Sequence, residues 1–238
     1  MRYNAQVRYY PLFMDLAGRP CLVVGAGTIA ARKARSLLDC GARVTVVGVR
    51  PAAAFRALER RGVVLLDRRF RVGDVGRQAL VIAATDDPAV NAAVSAAARR
   101  KGIPVNAVDD PANCSFIVPA VLTRGDLTVA ISTGGKSPAA ARLVKERIGE
   151  LLGEEYAVLV RLLGAHRERM KGEVAKQGTR ARAWKRMLDD GVLESLRRGD
   201  KDGAASTVRR CLAAAACGTA TTKQGKDAAP AKTKAARR

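Results

Sequence analysis

The amino-acid sequence predicts an α/β protein built on a doubly wound parallel sheet, followed by a small strand-containing segment and a C-terminal helical unit. Three observations carry this: short apolar strands alternate with helical patterns, a glycine-rich turn joins the first strand to the first helix, and the alternation stops after Asp109. Residues 21–24 read as a short buried strand. Residues 28–40 repeat apolar side chains at helical spacing through Ile29, Ala34, Leu37 and Leu38, with Gly41 as the stop. Further strands are expected at 43–47, 63–66, 80–84 and 103–108, with helices at 51–60 and 88–100. Residues 115–122 and 127–132 are strand-like runs joined by Thr-Arg-Gly-Asp with no helix between, which predicts a hairpin or paired extension. Ser137 as N-cap and Pro138 in the first turn open a helix that runs through Leu143, Val144 and Ile148 to about Leu152. The remainder to about Ala216 is helical by pattern and strongly basic, with Gly178, Gly191 and Gly203 as punctuation.

At 238 residues and 48% hydrophobic, the chain has enough apolar surface for one good core and a small second unit. Five cysteines with no C-x-x-C pair fit reduced thiols, not a disulfide framework or a structural zinc site. No apolar run is long enough for a bilayer, and the start Met1-Arg-Tyr-Asn-Ala has no signal-peptide core, so a cytoplasmic location without membrane contact is expected. The 43 Lys and Arg against 22 Asp and Glu give a formal charge of +21, a field that gathers anionic ligands. Part of that excess lies in the Ala/Lys/Thr-rich stretch 218–238, which is expected to be a disordered basic tail. It has no interleaved aromatics for bases to stack on, so specific nucleic-acid binding is not expected.

The clearest chemical signal is Gly25-Ala26-Gly27-Thr28-Ile29-Ala30, a G-x-G-x-x-A turn between a strand and a helix. Gly25 permits the turn, Gly27 lets backbone approach a pyrophosphate, and small Ala30 lets helix and strand pack, with phosphates held at the helix N-terminus. This makes the sheet Rossmann-type; the alternative is a glycine turn in an unrelated α/β protein, which the position in the first βα unit disfavours. The acidic residue expected after the second strand is absent, since that strand ends Val47-Gly48-Val49-Arg50. Arg50 is either a contact for a 2′-phosphate, favouring NADP, or a surface arginine at a strand end. Thr85 lies where a Rossmann sheet meets its ligand, and Asp87-Pro88 reads as the cap of the next helix. Asp109-Asp110-Pro111 suits either a turn or a proton-accepting site at the ligand side of the fifth strand.

Several segments in order, Tyr9–Gly18, Ala31-Arg32-Lys33-Ala34, Ala83-Ala84-Thr85-Asp86-Asp87, Asn106-Ala-Val-Asp109-Asp110-Pro111, Ser115–Ala120 and Ser132-Thr133-Gly134-Gly135-Lys136-Ser137-Pro138, resemble the siroheme synthase N-terminal module. The resemblance covers about residues 9–152 and continues more loosely through the helices, and the methyltransferase domain fused to some relatives is not expected within these 238 residues. It implies NAD-dependent oxidation of precorrin-2 to sirohydrochlorin, in some members with insertion of ferrous iron as a substrate, and a homodimer. Asp109 matches the family's catalytic aspartate, with Asp110 beside it as a like charge. The implied cofactor-binding set is Gly25, Ala26, Gly27, Thr28, Ile29, Val49, Arg50, Thr85 and Asn106. The tetrapyrrole is expected near Ser132, Thr133, Gly134, Gly135, Lys136 and Ser137, with Arg142, Lys145 and Arg147 as candidate contacts to its carboxylates. Thr133 replaces a serine that is a phosphorylation site in the bacterial fused enzyme, so that regulation does not carry over. The implied division is 1–114 for NAD, 115–152 for substrate and dimerisation, 153–217 as a helical domain, and the tail.

With a single histidine, His166, read as a surface residue, no histidine metal cluster is available within one chain, and none is expected. Trp184 is expected to pack within the helices or at a dimer interface. Two other classes stay open at this point: an NAD-sensing regulatory domain in which Asp109 is only a turn residue, and a basic nucleic-acid binder that uses the helices.

Overall fold

The computed structural model describes residues 9–218; the tail beyond Gly218 lies outside them. Strands β1 (Pro20–Val24), β2 (Arg43–Val47), β3 (Val64–Leu66), β4 (Leu80–Ala83) and β5 (Val105–Ala107) form one parallel sheet in the order β3-β2-β1-β4-β5. The winding reverses at β1, which pairs with β2 on one side and β4 on the other. That reversal opens a crevice beyond the carboxyl ends of β1 and β4, where open α/β sheets bind ligands.

The central strands β1 and β4 are buried on both faces because their side chains alternate between two cores, whereas the edge strand β3 leaves Val64 exposed. Cys21 and Val23 of β1 pack with α1 (Thr28–Asp39) and α2 (Phe55–Glu59) through Ala30, Ala34, Leu37, Phe55 and Leu58. Leu22 and Val24 face the opposite core with Val81, Val105 and, from α3 (Pro88–Arg100), Val94, Ala97 and Ala98. Each fully buried Leu or Phe in these layers contributes about 2 kcal/mol of transfer free energy. The helix expected at 51–60 is confined to Phe55–Glu59, because Ala52 N–H donates to Ala26 O (2.9 Å) and holds residues 51–54 as a turn. β5 is shorter than its apolar run because Pro104 has no N–H to add to the ladder.

Among the described residues, contacts divide the chain into two compact units, 9–120 with 132–141, and 121–131 with 142–218. The second contains all but the first residue of the hairpin formed by β6 (Ala120–Arg124) and β7 (Leu127–Ile131), joined by Gly125-Asp126. It also contains most of α4 (Pro138–Leu151), which begins where Ser137 Oγ accepts from Ala140 N–H at 3.1 Å. The Arg124 guanidinium donates to Leu152 O (2.9 Å) and Gly149 O (3.4 Å), a cation placed at the negative end of α4.

Helices α5 (Glu155–Ala165), α6 (Arg167–Glu173), α7 (Gln177–Asp189), α8 (Val192–Arg197) and α9 (Lys201–Ala216) enclose a core that includes Leu159, Met170, Met187, Val208 and Leu212. Trp184 packs against that core. Gly191 separates α7 from α8, whereas Gly178 and Gly203 lie inside first turns and are not breaks. The break before α9 falls at Gly199-Asp200, where Asp200 caps the helix by accepting from Gly203 N–H at 2.8 Å. His166 is half-buried at the α5–α6 junction, with Nδ1 3.0 Å from Leu162 O, and so is not on an open helix face. Among the described residues, no helix is long and apolar enough to cross a membrane.

Candidate functional site

The turn after β1 is built against backbone on two sides. Gly25 N–H donates to Val47 O at 2.8 Å, tying the end of β1 to β2. Its φ is +119°, and a Cβ there would lie 2.2 Å from Ala84 O, so no side chain fits. Gly48, which the sequence reading did not single out, is as constrained: a Cβ on it would lie 2.7 Å from Ala26 N. Ala30 is fully buried, which is the close strand-to-helix contact its size was expected to allow. Gly27, Thr28 and Ile29 remain exposed, and no side chain caps α1. The first-turn N–H groups of α1, with no acidic residue beside them, form a donor set suited to an anion such as a pyrophosphate.

At the end of β2, Val49 and Arg50 are exposed, and Arg50 holds φ +53° while its N–H donates to Asp67 Oδ1 at 3.2 Å. At the end of β4, Thr85 is engaged with protein. Its Oγ1 lies 2.8 Å from Asn91 Oδ1 and 3.0 Å from Asp87 O, and Asn91 Nδ2 returns a bond to Thr85 O (2.9 Å). Buried Asn91, unnoticed in the sequence, thus fixes the turn that faces Gly25. Asp87 caps α3 by accepting from Ala89 N–H at 2.8 Å, the role preferred for it.

Beyond β5, Asp109 is exposed and occupies the left-handed region at φ +58°, a conformation that costs a non-glycine residue about 1 kcal/mol or more. The surrounding network over-determines it. Val108 N–H donates to Ala83 O (2.9 Å), and Asp110 N–H closes the turn onto Ala107 O (3.3 Å). The Cys114 thiol accepts from Ala107 N–H (3.2 Å) and lies 3.1 and 3.3 Å from the carbonyls of Ala107 and Asp110, so it joins both sides of Asp109. Burial pushes the Cys114 thiol up from its ordinary range, against the Ala107 hydrogen bond, which keeps it a neutral linker. Asn106 is buried on β5 and donates to Phe116 O (3.0 Å) and Cys114 (3.3 Å), which commits its amide nitrogen to the polypeptide. Asp110 takes Asn113 Nδ2 at 2.6 Å. On α1, half-buried Lys33 is pulled below its ordinary range by burial and by Arg32, opposed by the fields of Asp109 and Cys114. A cation therefore stands within electrostatic reach of the carboxylate.

The segment 132–137 makes its hydrogen bonds within itself and to the next helix. Ser132 Oγ accepts from Gly134 N–H (3.0 Å), and Thr133 Oγ1 accepts from Ser137 N–H (3.1 Å) while donating to Ser137 O (3.0 Å). Lys136 N–H bonds back to Thr133 O (3.2 Å) across Gly134 and Gly135, both at positive φ. Arg147 pairs with Glu150 at 3.2 Å on an exposed face of α4. Among the described residues, no group of three or more His, Cys, Asp or Glu is arranged to hold a metal ion.

Three families match consecutive stretches: an NAD(P)-binding family over residues 12–120, the sirohaem biosynthesis protein central region over 124–151, and the sirohaem synthase dimerisation region over 155–212. The siroheme synthase of Methylococcus capsulatus is 42% identical over 209 residues, which are 87% of this chain and 44% of that protein. That of Thioalkalivibrio sulfidiphilus is 40% identical over 205 residues, 86% of this chain and 42% of that protein. The chain thus spans less than half the length of these curated relatives. Among solved structures, a precorrin-2 dehydrogenase superposes with a TM-score of 0.68 at 26% identity, covering 85% of this chain and 100% of that one.

Proposed function

The chain belongs to the sirohaem synthase family, and from that membership we propose that it oxidises precorrin-2 to sirohydrochlorin with NAD. The observation that carries the reading is a shared edge. The glycine-bearing turn after β1 and the left-handed Asp109 after β5 both lie at the carboxyl ends of strands in one parallel sheet. When bound, the nicotinamide supplies the acceptor for the hydride that the macrocycle loses. The cradle fits such a dinucleotide, since Gly25 and Gly27 leave backbone bare and the α1 N–H groups face anionic phosphate. Ala26, Thr28, Ile29, Val49, Arg50, Thr85 and Asn106 complete the proposed cofactor set, the last two acting through the turns that they hold. Asp109 accepts at its carboxylate the proton lost with the hydride. The proposed substrate contacts are Ser132, Thr133, Gly134, Gly135, Lys136 and Ser137, with the basic surface, including Arg142, Lys145 and Arg147, attracting the macrocycle's acetates and propionates. We assign a substrate and dimerisation role to 115–152, a helical domain to 153–217, a homodimer, and a cytoplasmic location without a nucleic-acid partner.

The test supplies purified protein with precorrin-2 and NAD and follows the pigment spectrum. Wild type is expected to convert the pigment. The Asp109→Ala variant is expected to lose about 100- to 10,000-fold in kcat while its NAD affinity holds. A wild-type protein that leaves precorrin-2 unchanged overturns the proposal, and an Asp109→Ala variant of undiminished rate removes that carboxylate from it. Addition of ferrous iron to the same reaction tests the second reading, in which Asp109 also serves metal insertion into sirohydrochlorin. A spectrum that does not respond to iron limits the protein to oxidation.

A further inference from the structure

Dinucleotide sites of this type ordinarily place an acidic residue at the end of the second strand, where it accepts the adenosine ribose hydroxyls. Here β2 runs instead into Gly48-Val49-Arg50, whose side chain, if it acted, would attract the extra phosphate of NADP. The fold brings a carboxylate to the same tip from another strand. β2 and β3 pair in parallel with Val47 opposite Leu66, and Gly48 N–H donates to Leu66 O at 3.2 Å. The residue following β3, Asp67, therefore arrives beside the end of β2, where Oδ1 accepts from Arg50 N–H at 3.2 Å.

We infer that Asp67 is the nucleotide-selecting residue, its carboxylate accepting the ribose hydroxyl of NAD and repelling the 2′-phosphate of NADP. Three features support the assignment. Asp67 is exposed and makes no ion pair among the described residues, so its second oxygen is open. The nearest basic neighbour in sequence, Arg68, is committed to Asp74 by hydrogen bonds of 2.7 and 2.9 Å. The Asp67 charge is also anchored to backbone at Arg50, whereas the Arg50 guanidinium has no partner among the described residues and ends a flexible side chain. A carboxylate at a ribose subsite supplies both elements from which specificity is built, a hydrogen-bond acceptor for the hydroxyl and a like charge against an added phosphate.

The inference rests on the dinucleotide-binding reading, and binding measured without tetrapyrrole separates the two. Calorimetric titration of the full chain with NAD and NADP is compared between wild type and Asp67→Asn, which keeps an oxygen for Arg50 N–H and removes the charge. Wild type is expected to bind NAD more tightly by about tenfold or more, and the variant to bring the two affinities within about threefold, with unchanged thermal unfolding of the free protein. Wild type that prefers NADP, or a variant that keeps the full preference, overturns the role of Asp67 and leaves the enzyme reading standing. Wild type that binds neither nucleotide overturns both.

Discussion

Two glycine-bearing turns in this chain use glycine for different reasons. At Gly25 the constraint is space: the position a Cβ would occupy is already held by Ala84 O, 2.2 Å away, and the φ of +119° adds strain for any other residue. At Gly134 the constraint is conformation alone, since φ is +64° but nothing lies within 4 Å of the missing Cβ. The first turn is pinned between two strand ends, and the second is a local loop whose hydroxyls satisfy its own backbone. Sequence motifs weigh both glycine pairs alike, while packing separates a fixed cradle from an open, adaptable turn.

The largest expected effect is at the cradle. Gly25→Ala should cost on the order of 3 kcal/mol by combining overlap with strain, and lower NAD affinity by more than about tenfold. Thermal unfolding and calorimetric NAD titration check this, and wild-type affinity in the variant would erase the contrast. Gly134→Ala should cost only about 1 kcal/mol, the price of a left-handed alanine in open space, with NAD affinity unchanged. A loss as large as that at Gly25 would mean the loop is packed against something during function. The smallest effect is in acid, where neither turn contributes a carboxylate. Arg68 holds Asp74 below its ordinary value of 3.8, so this pair stabilises the fold above that value and the contribution fades as pH falls beneath it. The stability gap between each glycine variant and wild type should therefore stay constant through that window, as acid denaturation at matched ionic strength would record.

Much of the first unit was legible because its signals are local. The apolar runs of β1, β2 and β4, the Pro88 start of α3 with its Asp87 cap, and the Ser137 cap of α4 all depend on neighbours in sequence. The same locality explains the errors: Gly178 and Gly203 look like breaks, but a glycine in a first turn is tolerated when, as at Gly203, a capping carboxylate takes its N–H. The candidate site was legible only in part. Gly25, Gly27 and Asp109 announced themselves through a motif or a resemblance, whereas Asn91, Cys114 and Asp67 carried no signal of their own, and Lys33 lies in a segment of the resemblance that marks no role for it. Lys33 and Asp67 act on partners that helix packing and sheet pairing deliver from elsewhere in the chain, whereas Asn91 and Cys114 bond to residues four to seven positions away whose geometry only the folded turns set.

The sequence by itself determined the alternation of strands and helices, the phosphate-binding turn, the surplus of positive charge and the family, all properties written in spacing and composition. The tertiary structure decided that Gly48 must be bare, that the Cys114 thiol joins the two sides of a strained Asp109, and that a carboxylate absent after β2 is supplied from β3. The physical reason is that parallel strands gather their carboxyl ends at one edge whatever their separation along the chain, and hydrogen bonds and steric exclusion at that edge depend on distance in space.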